Sequence, residues 1–535
     1  MTTEVPAPSV PELLASLQQQ AVRLQQLQAE NDWLRAQCNL AQHKQFGPSS
    51  EKTAPGTSVA ADALQGELVF NEAEAQAAPT PEPDVETITS AQMGARRKKS
   101  KGKRQADLAH LPVEEVRHEL PVDEQVCPQC AGALHEIGTE VRQELKIIPA
   151  QAILMKHVQV KYSCRHCALH DTSTPVVTAP MPKAAFPNSL ASPSAVAYVM
   201  NQKFELGLPL YRQEQHFQDL GLNLSRQTLA NWMIKGAGLL GPLYDKLHEL
   251  LRQRDILHAD ETKVQVLHET GRAATTDSRM WVYCSGRDGP PLVLYDYQTT
   301  RGSEHPRAFL KGFTGFLHVD GYAAYDSLQG ITLAGCWAHA RRKFDEAIKS
   351  LPPVSRAGGT PCASRVGLDF CNKLFKVERD WHDVTPEERL AGRQLESAPI
   401  LAEFRAWLDQ QAPLALPKSP LGQAITYCRN QWAKLNTFMQ DGRLEIDNNR
   451  CERAVKPFVI GRKNWLFANV PQGARASAII YSIVETARAH NLRPLDYLNF
   501  LFERLPAVDS PTDLNGLLPW AERVRDTCGS TGKTT

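Results

Sequence analysis

The chain has no apolar run approaching the roughly 20 residues that a bilayer-spanning helix requires, which sets aside a helical membrane protein. Its opening residues lack the charged-then-apolar pattern of a secretory leader, so the expected location is the cytoplasm. Net charge is nearly absent as well: 60 Lys and Arg stand against 59 Asp and Glu, leaving +1. No global basic field therefore draws the molecule onto a polyanion, and any such contact must come from local clusters. Its 12 cysteines are not scarce. In a cytosolic chain they are expected to be reduced or metal-bound rather than paired in disulfides.

At 535 residues the chain exceeds one typical core, and about three to five units are expected. Residues 10–43 read as a coiled coil, with Leu17, Leu24, Asn31 and Cys38 in one heptad series and Leu13, Gln20, Leu27 and Leu34 in the other. Asn31 at a core position would fix register and a two-stranded state at some cost in stability, so homo-oligomerisation is expected here. Residues 44–107, rich in Ala, Pro, Glu and Gln, read as a disordered linker. The linker is charge-segregated, with eight acidic side chains in 51–95 and seven basic ones in the nine residues 96–104.

Order resumes in a segment assigned to 108–180. Cys127-Pro-Gln-Cys130 and Cys164-Arg-His-Cys167 flank β-rich stretches, the pattern of a zinc ribbon with four thiolates and no open coordination position. The zinc would be structural, with His166 and His170 as alternative ligands. A helical region, 190–250, follows. Within it residues 209–236 read as a helix–turn–helix, Gly221 permitting the turn and Ser225 capping the second helix. Leu229, Trp232 and Met233 form the inner face of that helix; Arg226, Gln227 and Asn231 form an outer face suited to base edges in a major groove. The alternative is a purely structural hairpin.

From residue 252 the pattern changes to strands, at 256–267, 280–285, 291–297 and 315–320, with a helix at 304–311. Three strands, a helix and a fourth strand is the order of a ribonuclease-H-like core, in which the first and fourth strands are neighbours. That order would bring Asp260 and Asp320 together, both set in apolar runs where aspartate is a poor strand former. Glu261 rivals Asp260, but adjacent strand residues face opposite ways, so one of the two lines the site. For a third carboxylate, Glu445 and Asp447 compete with Glu452, which is preferred for its basic helix. Residues 450–463 carry five basic groups against one acidic, including Arg453, Lys456, Arg462 and Lys463. Close carboxylates repel unless cations separate them, and paired magnesium ions (or manganese) would serve phosphoryl transfer. The first part of the core is assigned to 252–339, a helical insertion to 340–445, the second part of the core to 446–487 and a C-terminal tail to 488–535. Cys336 and His339 open the insertion; they are candidate metal ligands, but with no second pair in view they are read as packing and backbone-contacting residues. Arg341, Arg342 and Lys343 are candidate DNA-phosphate contacts.

The succession of coiled coil, zinc ribbon, helix–turn–helix, HADET, HVDGYAAY, CWAHARRKF and DNNRCERAVKPFVIGRKNWLF resembles the large transposase of the insertion sequence 66 family, over nearly the whole chain. The resemblance implies an Asp-Asp-Glu transposase with Asp260, Asp320 and Glu452 as its metal-binding triad. It further implies double-stranded DNA as partner, both element ends and target, a nucleoid-associated bacterial location and small accessory proteins from the same element. The expected reaction is metal-dependent cleavage at inverted terminal repeats followed by strand transfer, with no covalent protein–DNA intermediate. The rivals are a ribonuclease-H-like nuclease that cuts without joining and a DNA-binding regulator with an inactive core.

Overall fold

The computed structural model describes residues 151–163, 176–351, 362–508, 510 and 512–529. The expected coiled coil and linker, and Cys127, Cys130, Cys164 and Cys167, lie outside the described residues. Residues from Met155 onward belong to one unit; residues 151–154 belong to another and carry no regular structure.

A short antiparallel pair, β1 (Lys161–Ser163) and β2 (Val176–Thr178), comes first. Three helices follow: α1 (Pro193–Phe204), α2 (Leu210–Asp219) and α3 (Arg226–Arg252). Gly221 takes φ 78° in the turn between α2 and α3, a left-handed conformation in which a β-carbon would be strained. Ser225 caps α3, its side chain accepting a hydrogen bond from the Thr228 amide at 3.2 Å. Two helices joined by a turn thus lie where the helix–turn–helix is expected, but the second runs 27 residues rather than ending at 236. The reason is apolar spacing. Leu240, Leu243, Leu247 and Leu251 recur on one face and are fully buried in the same core as the sheet. Each such leucine stabilises by about 1.5–3 kcal/mol, enough to carry the helix past Pro242 and straight to the first core strand.

The sheet contains β3 (Ile256–Gln265), β4 (Asp277–Ser285), β5 (Val293–Gln298), β6 (Phe316–Val319) and β7 (Thr332–Gly335), with helix α4 (Glu304–Phe309) between β5 and β6. Its order is β5-β4-β3-β6-β7: β3, β4 and β5 pair antiparallel, whereas β6 joins β3 and β7 joins β6 in parallel. The expected neighbouring of first and fourth core strands is therefore observed, and β7 is an additional strand. An edge strand must satisfy its outer amides elsewhere. On β5 two side chains do this, Ser482 Oγ accepting from Tyr295 N at 2.8 Å and Thr486 Oγ1 from Val293 N at 3.1 Å.

Beyond β7 lie α5 (Trp337–Lys349), α6 (Ala363–Asp380), α7 (Pro386–Gly392), one π turn (Arg393–Ser397), α8 (Ala398–Gln411), α9 (Pro420–Asn430) and α10 (Trp432–Leu435). They enclose a second apolar core around Trp337, Phe344, Leu374, Phe404 and Phe438. Arg393, wholly buried, fastens it. Its guanidinium reaches both Glu378 oxygens (2.7 and 2.6 Å) and the carbonyls of Phe438, Asp441 and Leu444 (2.7–2.9 Å). The chain then returns to the sheet with α11 (Asn449–Trp465), α12 (Pro471–Ala489), α13 (Pro494–Arg504) and α14 (Glu522–Cys528). The Ser482 and Thr486 hydroxyls that close the β5 edge belong to α12. Much of the expected tail is core: Leu498, Leu501 and Phe502 of α13 are buried in the main cluster.

Candidate active site

The parallel register of β3 and β6 pairs Ile256 with Phe316, Leu257 with Leu317 and His258 with His318. Two residues further along, that register brings Asp260, midway along β3, level with Asp320, the residue just after β6. Gly321, at φ 97°, lets the chain turn away immediately after Asp320. Asp260 Oδ1 accepts from the Glu261 amide at 2.8 Å, and Asp320 Oδ1 from the Tyr322 amide at 2.9 Å. Tyr427 of α9 donates to the Asp320 carbonyl at 3.0 Å, so the insertion holds this turn. Burial pushes the Asp260 carboxyl well above its ordinary range, and the charges of Glu261, Asp320 and Glu452 push it further. No cationic side chain pairs with it among the described residues. Three negative neighbours and no counter-charge make an oxygen-lined position for a cation.

Glu452 sits in the first turn of α11, 5% exposed. Its Oε2 lies 3.4 Å from Arg342 Nη2 and its Oε1 lies 3.3 Å from His339 Nδ1. Asn448 sets the start of that helix. Its Nδ2 donates to the Ala259 carbonyl at 2.9 Å, its Oδ1 lies 3.0 Å from His258 Nδ1, and its amide donates to Cys336 Sγ at 3.2 Å. Sequence reasoning missed Asn448; the available signal was an N-cap residue type directly ahead of a helix.

The rival carboxylates are otherwise engaged. Glu445 accepts from Arg287 Nε at 2.9 Å and Arg450 Nη2 at 2.6 Å. Burial works against its ionisation, but His258, Arg450 and Arg287 outweigh it and hold the carboxyl far below its ordinary value. Asp447 accepts from the amide and side chain of Asn449 at 3.0 and 2.7 Å, and burial pushes its carboxyl up to about 6. Glu261 pairs with Arg301 and accepts from Tyr325 Oη at 3.1 Å. Arg301 in turn lies 3.5 Å over the Tyr322 ring.

The candidate DNA-contacting residues divide by their surroundings. Arg226, Gln227 and Asn231 are exposed at the start of α3, Gln227 Nε2 donating to Asn231 Oδ1 at 3.2 Å. Arg453 and Lys463 are exposed on α11 and Lys456 is half-buried there. Arg462 instead ties α11 to β3 through Thr262 Oγ1 and the Lys263 carbonyl. On α5, Arg341 donates to Asn372 Oδ1 at 2.9 Å, Arg342 faces Glu452, and Lys343 lies 5.1 Å over the Tyr427 ring. Beside the acidic set, donor atoms of Cys336, His339 and Glu452 fall within 4.8 Å of one another. The sequence offers no second pair beside Cys336 and His339 because Glu452 lies more than a hundred residues away.

Comparison with known proteins gives four family matches. The family described as "Transposase IS66 family" matches residues 188–476, which contain all three carboxylates. "Zinc-finger binding domain of transposase IS66" matches 124–168, spanning the four ribbon cysteines. "Transposase C of IS166 homeodomain" matches 33–116, and "IS66 C-terminal element" matches 482–520. Among individual relatives, "Uncharacterized protein y4jD" of Sinorhizobium fredii (strain NBRC 101917 / NGR234) is 32% identical over 77% of this chain and 82% of its own length. "Uncharacterized protein y4hP" of the same strain is 31% identical over 74% of this chain and 73% of its own length.

Proposed function

This chain belongs to the IS66 transposase family, and from that premise we propose that it binds the inverted ends of its own element, cuts them and joins the freed 3′-hydroxyl to target DNA. The observation that carries the reading is the parallel β3–β6 register, which sets Asp260 level with Asp320 while Glu452 adds its charge from α11. Strand order β5-β4-β3-β6-β7, with a helical insertion ahead of the glutamate, supports a ribonuclease-H-like core. Domain matches to a transposase and its zinc finger support DNA as the partner.

Asp260, Asp320 and Glu452 fit magnesium, because all offer oxygen and Asp260 is buried among like charges with no cationic partner among the described residues. Divalent cations bound there would supply activation of the attacking oxygen and stabilisation of the leaving one. The chain's own residues fix the geometry. Asn448 locks the α11 start onto β3, Tyr427 holds the turn behind Asp320, and Arg342 restrains one Glu452 oxygen. Arg453, Lys456 and Lys463 give α11 a basic surface for phosphates, and Arg226, Gln227 and Asn231 lie where a groove could be read. Cys127, Cys130, Cys164 and Cys167 would hold a structural zinc, and residues 10–43 would pair chains so that two ends are held together.

The test uses labelled DNA carrying the element's ends, with Mg²⁺ or EDTA, for wild type and Glu452→Gln. Metal-dependent cuts at the end boundary, lost in the variant, are expected. Specific binding without cutting in wild type would favour the regulator reading, and cutting without joined products would favour a nuclease.

A further inference from the structure

Cys336 follows β7 as the N-cap residue of α5, and His339 lies in the first turn of that helix. Both approach Glu452 from across the site, so that sulfur, a ring nitrogen and a carboxylate oxygen share a space within 4.8 Å. Two atoms there are left over. Among the described residues His339 Nδ1 and Glu452 Oε1 are buried and make no hydrogen bond of good geometry, though they stand 3.3 Å apart and would pair if the ring were protonated. An unsatisfied buried carboxylate oxygen is costly, and a cation between the two would satisfy both. The donor types choose the ion. Thiolate, imidazole and carboxylate together suit zinc, with a fourth position open, whereas magnesium avoids sulfur and keeps oxygen ligands.

We propose that Cys336, His339 and Glu452 bind a zinc ion, and that zinc held there withdraws Glu452 from Asp260 and Asp320 and so opposes magnesium-dependent cleavage. The inference rests on the reading of Glu452 as the third carboxylate. Binding replaces the Cys336 S–H bond with a sulfur–zinc bond and releases one proton to solvent. The site is separate from the four-cysteine ribbon: none of its ligands is a ribbon residue, and one of them belongs to the acidic set. Zinc would act as a brake that magnesium must displace.

The experiment counts zinc per chain by mass spectrometry on full-length wild type, Cys336→Ser, His339→Gln and Asp260→Asn, with circular dichroism to establish folding. Wild type and Asp260→Asn should carry one zinc more than Cys336→Ser and His339→Gln. His339 is a quarter exposed, so its variant keeps the test alive if the buried Cys336→Ser misfolds. Co²⁺ added to the zinc-loaded ribbon should give a thiolate charge-transfer band that Cys336→Ser lacks. Equal zinc counts, or a band lost in Cys127→Ser and retained in Cys336→Ser, would overturn the site. In magnesium buffer, the ratio of cleavage rates without and with zinc should fall by at least about 10-fold in His339→Gln relative to wild type, the scale on which even partners of a ligand set zinc affinity. Zinc bound with that ratio unchanged would refute the competition. A wild type that cuts under no condition would refute the proposed function, and the zinc count would still decide the site.

Discussion

His258 and His318 stack face to face across β3 and β6, with ring centroids 4.3 Å apart and planes 9° from parallel. Each stands two residues before a site aspartate, on the same face of its strand. Both rings are fully buried, and burial drives His258 down to about 4 and His318 well below its ordinary value, so at neutral pH two uncharged rings pack flat. A one-residue slip of β6 would send His318 to the opposite face and part the two carboxylates. The pair thus makes the register, and with it the Asp260–Asp320 proximity, a matter of packing rather than of the acidic groups themselves.

Asp260→Asn should abolish cleavage and leave binding to element ends within about 2-fold, because it removes a charge while keeping nearly the same shape. It should also stabilise the metal-free protein. A carboxyl whose folded pKa is raised gains stability below its unfolded value and loses it as pH rises through the folded one. The variant should therefore melt higher than wild type in EDTA at pH 7, with the difference closing on acidification. A shift of about 2–4 °C per kcal/mol is the scale for domains of 150–250 residues. Added Mg²⁺ should raise the wild-type melting temperature more than that of Asp260→Asn, as differential scanning fluorimetry would record.

Glu445→Gln should behave oppositely. Its carboxyl is held below its ordinary value, so ionised Glu445 contributes stability above pH 4.5 that disappears as pH falls through the depressed folded value. Gln should destabilise at pH 7, less so at pH 3, and leave residual metal-dependent cutting in the protein that remains folded. Cutting lost entirely at full foldedness would move the third-carboxylate role from Glu452 to Glu445.

Arg393→Met should cost about 3–5 kcal/mol, the usual penalty for removing one partner of a buried ion pair. Glu378 and three backbone carbonyls lose their donors together. Denaturant titration should register the loss, and cleavage should fall with it, because the fastened segment leads directly into Glu445 and α11.

Gln227→Ala and Asn231→Ala should each reduce discrimination between element ends and unrelated DNA by about 1–3 kcal/mol for a lost base contact. Lys456→Ala should weaken both kinds of DNA equally and lower the salt slope by about 1. Fluorescence anisotropy at several salt concentrations separates the two. If Lys456→Ala alone changes sequence preference, the roles of the two helices are reversed.

Much of this was legible in the sequence because the signals were local. Asp260 and Asp320 stand out as aspartates inside apolar runs, Gly221 and Ser225 mark a turn and a cap, and the pairing of first and fourth strands follows from the succession of elements. Contacts made across long separations were not legible. Nothing near Glu452 in sequence points to His339 and Arg342, and nothing near Arg393 points to Leu444. β7, four residues long between turns, is too short for alternation to register. The helical region read over 190–250 covers nearly all of α3, but the helix–turn–helix bound at 236 did not show that the second helix continues unbroken to Arg252.

The unbroken course of α3 has a mechanical consequence. At 1.5 Å per residue its 27 residues make a rod of roughly 40 Å. Its exposed end carries Arg226, Gln227 and Asn231; its other end is clamped in the leucine core one turn before β3 begins. A duplex gripped at the outer end would be held at a set offset from Asp260 and could not drift independently of it. The helix would then serve as a ruler, with the distance from recognised bases to cut phosphate written into its length.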